Sequence, residues 1–300
     1  MATLPNISSQ DGARITVNDW INSPKTIPTY VLSLMDQEFL PDAVLRNAGD
    51  NNSGVVRHNA TTPLYSDTAL TEREEFGEIP VGTGSIGTPV SVYTVETSQA
   101  VVISARDQKR NAIGKLQLRM QQTKNTIVKA WNDRTVKALL DNAGFNFTAA
   151  STWATPDYDI RSDWLSLMKL VRLARDPNGS LLGYKCDTAI INPITSFDLM
   201  RSKEFNAEYF GGNIADENLR YTGVLPQKIL NCNVLESDSV PIGQAIFLQR
   251  GQSGYISDEE PLEATPLYFK NETRTWRSDL WRTSAIGIDQ PLSVAVAHGL

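Results

Sequence analysis

A mixed α+β fold with a projecting ribbon is predicted for this 300-residue chain by three features. Residues 90–95 (Val-Ser-Val-Tyr-Thr-Val) alternate apolar and polar in the strand period. Residues 107–141 contain no proline and place apolar side chains at helical spacing. Beyond residue 157, short apolar runs alternate with helix-like segments and turn residues, as expected of a sheet with helices packed on it.

Taken in order, residues 1–57 read as an N-terminal arm. Polar stretches surround one apolar cluster over residues 30–35, followed by Phe39-Leu40 and Val44-Leu45. So little apolar surface cannot close on itself, so Tyr30, Leu32 and Phe39 are expected to dock elsewhere, on a neighbouring subunit. Residues 76–103 read as a long β-hairpin, with 76–81 as one arm, 90–95 as the other, and Gly82, Gly84 and Gly87 at the tip. The helix follows. Ser104 with Asp107 resembles a capping box, and Ile113, Leu116, Met120, Ile127 and Trp131 make one apolar stripe. About 35 residues at 1.5 Å each predict a rod of roughly 50 Å, with Gly114 as a bend point and Asn142 and Gly144 as a left-handed stop. Trp164, Leu165, Met168, Val171 and Leu173 predict a second helix, ended by the turn Asp176-Pro177-Asn178-Gly179. Ala189-Ile190-Ile191 predicts a buried strand, after which Asn192 caps a helix with Pro193 at its first position. Strands are expected at 245–249 and 254–257, then a long β-ribbon over 272–288 and a last strand at 292–297.

Charge is segregated along the chain. Residues 107–141 hold eight bases against three acids, about +5, in a protein whose total is −6. Residues 59–105 hold six acids against Arg73 alone, about −5. A basic rod beside an acidic, glycine-tipped arm suggests a subunit that clasps copies of itself. Mild net acidity argues against a general DNA-binding protein. The first ten residues have no basic and apolar regions of a secretory signal, and no stretch approaches the ~18 apolar residues of a membrane helix. A soluble protein is therefore expected. Cys186 and Cys232 have no CxxC spacing, so reduced thiols are the default. Sequons at Asn6, Asn51, Asn59, Asn146, Asn178 and Asn271 read as a polar surface.

Catalytic and cofactor readings are weak, and none is adopted: no catalytic residue, cofactor site or metal site is expected. Gly82, Gly84 and Gly87 match G-x-G-x-x-G, but Thr88, Pro89 and an alternating strand follow where a dinucleotide site requires a helix N-terminus. The glycines instead serve a hairpin tip, supplying flexibility and positive φ. A triad would need His58, in a loop-like stretch, or His298, two residues from the end, held rigidly by a carboxylate, and neither position looks rigid. Asp258, Glu259, Glu260 and Glu263 lack the ligand spacing of a calcium loop and read as a solvated loop or as salt-bridge partners. The basic helix has three open readings: a solvated face, a partner for carboxylates of a neighbour, or a surface toward packaged nucleic acid.

The order of parts resembles the major capsid protein of tailed bacteriophages, with the Hong Kong 97-type fold. The resemblance rests on Thr71-Glu72-Arg73-Glu74-Glu75-Phe76-Gly77-Glu78 leading into the glycine tip, and on the basic helix with Gln121-Gln122-Thr123-Lys124 and Trp131-Asn132-Asp133. It extends through the strand, Asn-Pro and helix of 187–200, the segments 223–226 and 237–241, and the closing run Trp276-Arg277-Ser278-Asp279-Leu280-Trp281. The resemblance implies an arm at 1–57, an extended loop at 58–103, a peripheral domain at 104–155 and 264–290, and an axial domain at 156–263 and 291–300. It implies no enzyme activity, and a shell of hexamers and pentamers around double-stranded DNA in the virion, assembled in the bacterial cytoplasm without a membrane. A scaffolding protein, a portal and a decoration protein are its implied partners. Inter-subunit contacts are then expected from Glu72, Glu74, Glu75, Phe76, Glu78 and the three glycines. The helix would present Lys109, Lys115, Arg119, Lys124, Lys129 and Arg134 as a basic face. One departure matters: no lysine lies between Lys25 and Lys109, so cross-linking from the extended loop, as in some members, is not expected. The alternative within this fold is an encapsulin-like nanocompartment. A nucleotide-dependent enzyme and a tail-tube protein are the rivals from other classes. Removing residues 1–45 is expected to abolish shells while leaving soluble subunits.

Overall fold

The structure is a computed structural model that describes residues 17–35, 39–61, 72, 77, 79, 81–82, 84, 86–155, 157–176, 179–201 and 228–300. Near the N-terminus, three short helices lie in the described part: α1 (Val17–Asn22), α2 (Thr26–Met35) and α3 (Leu40–Val44). Next come β1 (Arg46–Asn47), β2 (Val55–Ala60), β3 (Thr88–Tyr93) and β4 (Val95–Ser104). They are followed by α4 (Ala105–Lys109), α5 (Ile113–Asp141), β5 (Phe145–Thr148), α6 (Ile160–Arg172), β6 (Thr188–Ile191) and α7 (Pro193–Arg201). The chain closes with β7 (Lys228–Ile229), β8 (Cys232–Glu236), β9 (Gln244–Leu248), β10 (Tyr255–Ala264), β11 (Tyr268–Lys270), β12 (Thr275–Gly287) and β13 (Val294–His298).

Two larger sheets and one two-stranded ribbon organise these elements. In the five-stranded sheet β12 is central: β10 and β11 share one edge, β4 lies antiparallel along the other, and β1 extends β10 in parallel. Strand β10 carries register shifts on either side of Glu260, and Pro261 sits in the second. A proline cannot donate to a ladder, so a bulge is where a strand tolerates one. The six-stranded sheet runs β5-β13-β9-β6-β8-β7. Its central strands are buried on both faces: Thr188–Ile191 and residues 294–297 are buried throughout.

Alternation along those strands divides the core. Ile190, Ile246, Val294 and Val296 face one apolar cluster, which also holds Leu116, Met120, Ile127, Trp131 and Leu139 of α5. Ala189, Ile191, Phe247, Ala295 and Ala297 face a second cluster, with Trp164, Leu167, Met168 and Val171 of α6. Successive side chains of a strand point to opposite faces, so one sheet serves both helices. Trp164 meets Phe247 edge-on at 4.7 Å between ring centres and leans on Trp153 at 6.2 Å. Asp159 caps α6 by accepting from the Ser162 amide at 2.9 Å, and Asn192 accepts from the Ile194 amide at 2.9 Å at the start of α7. The turn after α6 closes with Gly179 at φ +83° and its amide donating to the Asp176 carbonyl at 2.9 Å.

The structure corrects several sequence expectations. The predicted rod is two helices: Asn111, at φ +48°, breaks the chain between α4 and α5, because Asn enters the left-handed region at lower cost than most residues. Gly114 lies in the first turn of α5 and is no bend, and 29 residues at 1.5 Å give about 43 Å. The helix ends at Asn142 with φ −115°, outside the left-handed region. Gly144 is instead required by close approach, since a Cβ there would lie 2.7 Å from the Pro291 carbonyl oxygen. The expected partner of β3 was residues 76–81, but β3 pairs with β2, Val55 opposite Tyr93 through Ala60 opposite Thr88. The segment 76–81 carries Gly77 and Pro80, which weaken and interrupt a ladder. His58 is therefore in a strand, and so are Asp258, Glu259, Glu260 and Glu263, which belong to β10. β5 pairs with β13 in the six-stranded sheet, and β10 pairs with β12 in the five-stranded sheet.

The N-terminal segment differs most. Val17, Trp20, Ile27, Val31, Met35, Phe39, Leu40, Val44 and Leu45 are all buried in this chain's own core, where α2 and α3 rest against α5 and the five-stranded sheet. Helix α2 buries Ile27, Val31 and Met35 at helical spacing, which gives it the apolar face the composition of the segment conceals. Of the residues expected to dock on a neighbour, Tyr30 and Leu32 are half-buried against this chain's own core and Phe39 lies inside it.

Candidate assembly interface

The described surface that is least satisfied within one chain is the ribbon β2–β3 and the segment leading into it. Ile79, Val81, Ile86 and Tyr93 are 70%, 82%, 77% and 67% exposed, and Val90 and Val95 are exposed too. Large apolar side chains gathered on one exposed patch are the kind of surface that binds protein. Among the expected contact residues, Glu72, Gly82 and Gly84 are exposed. Glu74, Glu75, Phe76 and Glu78 lie outside the described residues. Gly87 has a definite structural role: a Cβ there would lie 2.1 Å from the Ala60 carbonyl oxygen, at the last rung of the ribbon. Its φ is not left-handed, so it is chosen for close approach and not for positive φ.

The ribbon is rooted in the five-stranded sheet. His58 Nδ1 lies 2.9 Å from the Tyr255 hydroxyl, and the two rings meet edge-on. Thr94 closes the opposite strand: its amide donates to the Gly54 carbonyl at 3.0 Å and its hydroxyl to Glu259 Oε2 at 2.6 Å. The Thr61 amide donates to the Asp289 carbonyl at 3.2 Å, and Arg46 pairs with the Asp289 carboxylate at 2.5 Å. Burial, with the Asp289 charge beside it, pushes the Tyr255 hydroxyl up to about 12. Tyr255 is therefore a neutral hydrogen-bonding post at physiological pH.

The six bases expected to form a basic face have the following surroundings within this chain. Lys115 and Arg119 converge on Asp107 at 2.8 and 2.9 Å, and Arg119 also donates to the Val102 carbonyl at 2.8 Å. Asp107 is held down to about 2, chiefly by its hydrogen bond from Lys115, against the opposing effect of burial. Lys129 lies between Asp133 at 3.9 Å and Asp238 at 3.5 Å. Arg134 covers the Trp131 ring at 5.2 Å, and burial lowers its pKa. Lys124 is buried and Lys109 exposed. Lys109 belongs to α4, and a 3.6-residue period spreads the other five around α5, where Lys115, Arg119 and Lys129 meet carboxylates.

Sequence reasoning missed the centre that binds the N-terminal segment. Arg282 on β12 is 5% exposed and donates to both oxygens of Asp42 (3.0 and 3.2 Å) and both of Asp258 (3.1 Å each). Its guanidinium also lies over Phe39 and Trp131, at 5.3 and 5.4 Å from the ring centres. Burial lowers the arginine's pKa, but the two carboxylates more than offset this and raise it. A signal was present: Ser278, Leu280, Arg282, Ser284 and Ile286 share the inward face of β12, so the arginine sits in phase with buried positions. Among the described residues, no group of three or more His, Cys, Asp or Glu is placed to hold a metal ion, and no helix is long and apolar enough to cross a membrane.

A family model described as phage capsid protein matches residues 88–297. No curated protein matches the sequence. Among solved structures, the capsid of Cyanophage P-SCSP1u is similar at 10% identity and a TM-score of 0.61, with 85% of this chain and 86% of that one covered. A protein of Mycobacterium phage Che8 aligns at 12% identity and a TM-score of 0.57, covering 99% of this chain and 96% of that one. The holo-SrpI encapsulin complex of Synechococcus elongatus PCC 7942 aligns at 13% identity and a TM-score of 0.54, covering 89% of each chain. At such identities the solved structures establish a shared fold.

Proposed function

This chain belongs to the phage capsid protein family and has the Hong Kong 97-type fold, and from that premise we propose how its copies close a shell. It is a major capsid protein, a structural component of the virion that assembles with itself. In the proposed arrangement hexamers and pentamers form an icosahedral shell around double-stranded DNA, assembled in the cytoplasm of a bacterial host. The six-stranded sheet with α6 serves as the axial domain at capsomer centres. The five-stranded sheet with α5 serves as the peripheral domain. The ribbon β2–β3 and its tip serve as the extended loop, lying over an adjacent subunit. A scaffolding protein, a portal and a decoration protein are the remaining partners.

One observation carries this reading: Ile79, Val81, Ile86, Val90, Tyr93 and Val95 are large apolar side chains left exposed along the ribbon and the segments that flank it. Burying such a side chain contributes roughly 1.5–3 kcal/mol, whereas an exposed ion pair contributes about 0–1 kcal/mol. Apolar contact therefore dominates, and the charges set register. With no lysine between Lys25 and Lys109, the contact is non-covalent.

The test is electron microscopy of the purified chain and of the variant Ile86→Asp/Tyr93→Asp. The wild-type chain forms closed shells; the variant keeps its melting transition and stays unassembled. Shells from the variant at wild-type yield would overturn the role given to the ribbon. The likeness to an encapsulin keeps one other occupant in view. Shells isolated from infected cells that hold an enzyme and no DNA would replace the genome-container reading with a nanocompartment.

A further inference from the structure

Cys186 and Cys232 are 46 residues apart in sequence, yet their sulfurs lie 3.8 Å apart and the Cys232 thiol donates to the Cys186 carbonyl at 3.3 Å. Both side chains are buried, at 1% and 0% exposure, and both are free thiols. We propose that this pair is a latent intrachain disulfide, a modification site at which an oxidising medium ties β6 to the β7–β8 hairpin within one subunit.

Backbone geometry favours it. The parallel ladder between β6 and β8 opens with Thr188 opposite Asn233, and the Asn233 amide donates to the Asp187 carbonyl at 2.7 Å. The two cysteines thus sit at the entrance of a ladder that already holds their backbones side by side. The sulfurs are at van der Waals contact, and side-chain rotation has to bring them to about 2.05 Å.

Access comes through the edge. Among the described residues β7 is the last strand of its sheet, and its hairpin with β8 has two rungs, Lys228 with Asn233 and Ile229 with Cys232. The turn joining them holds Leu230 and Asn231 at φ +48° and +68°. A two-rung edge hairpin opens locally far more readily than the buried strands beside it, and opening exposes Cys232. Only one sulfur has to meet the oxidant. The hydrogen bond from Cys186, aided by the Arg172 charge, holds the Cys232 thiol below its usual range, while that same bond and burial push Cys186 up. Cys232 is therefore the attacking sulfur.

With oxidised glutathione as the oxidant, the Cys232 thiolate attacks one glutathione sulfur and the glutathione disulfide bond breaks. The first glutathione leaves as a thiolate and takes up the proton Cys232 has lost. Cys186 then gives its proton to solvent and attacks the Cys232 sulfur, which expels the second glutathione. Two protein thiols are oxidised and one small disulfide is reduced to two thiols. The new bond closes the segment 186–232 and restricts the unfolded chain.

The experiment incubates assembled shells with oxidised glutathione, then unfolds them without reductant in an alkylating agent and measures chain mass. The expected product is lighter than the reduced chain by about 2 Da, carries no alkyl group, and yields one linked peptide containing both cysteines. Cys186→Ser is expected to stop at a glutathione adduct on Cys232, about 305 Da heavier, and Cys232→Ser to leave Cys186 unmodified. The wild-type measurement stands even if a variant fails to assemble. Two alkylated thiols at equilibrium, two glutathione adducts on one chain, or a bond between two chains would each overturn the proposal.

Discussion

Replacing Arg282 by alanine separates the forces at the centre of the subunit. The change leaves Asp42 and Asp258 without their cation and uncovers the faces of Phe39 and Trp131. Removing one partner of a buried charge pair costs about 3–5 kcal/mol, most of it from the charge left behind. The two carboxylates differ in what is left behind: the Asp42 side chain is 48% exposed and rehydrates, while that of Asp258 is 19% exposed and does so poorly. Loss of two cation–π contacts adds roughly 0.5–1 kcal/mol each. With the charge cost taken at its lower end because Asp42 rehydrates, Arg282→Ala is therefore expected to destabilise the subunit by about 4–5 kcal/mol. Asp258→Asn is expected to cost about 2 kcal/mol and Asp42→Asn about 1 kcal/mol or less. In the double variant Arg282→Met/Asp258→Asn, the buried charge is gone and part of the loss is recovered. Urea unfolding of unassembled subunits, followed by tryptophan emission, reads all four. An Arg282→Ala subunit within about 1 kcal/mol of wild type, or Asp42→Asn costing more than Asp258→Asn, would refute the argument.

Further outcomes follow from the same contacts. Asp107 has a folded pKa of about 2 against an ordinary 3.8, so its stabilisation is present above pH 4 and is lost as pH falls toward 2. The amount is about 1–2 kcal/mol, and Asp107→Asn is expected to flatten the acid limb of a stability–pH profile. Gly87→Ala forces a Cβ onto the Ala60 carbonyl and is expected to fray β2–β3 by about 1–3 kcal/mol. Faster hydrogen exchange at the β3 amides, with unchanged protection in α5, is the expected signature, and equal protection in both would contradict it. Deleting residues 1–45 removes Trp20, Ile27, Val31, Met35 and Phe39 from the core, so soluble subunits are not expected. A cooperative melting transition in the deleted chain would show that the segment is dispensable to the fold.

Much of the fold was legible because its signals are local. The apolar stripe of α5 was readable from spacing, and Leu116, Met120, Ile127 and Trp131 are buried. The Asn192–Pro193 start of α7 and the Asp176–Gly179 turn follow from chemistry contained in a few residues. The acidic and basic segments were equally plain, but the partners of the basic one were not. Asp107, eight and twelve residues before Lys115 and Arg119, is near in sequence, whereas Asp238 beside Lys129 belongs to the other sheet's loops. Composition also misled over the N-terminal segment, since its apolar residues are few but fall on one side of α2.

By itself, the sequence determined the class of fold, the long helix, the strand at β3 and the resemblance to capsid proteins, because periodicity, capping residues and the order of segments are properties of short stretches. Only the tertiary structure decided that β3 takes β2 as its partner, that Arg282 joins residues 240 and 24 positions away, and that Cys186 meets Cys232. Such contacts depend on which distant backbones lie side by side, and ladder register and core packing set that through many weak interactions no local pattern encodes.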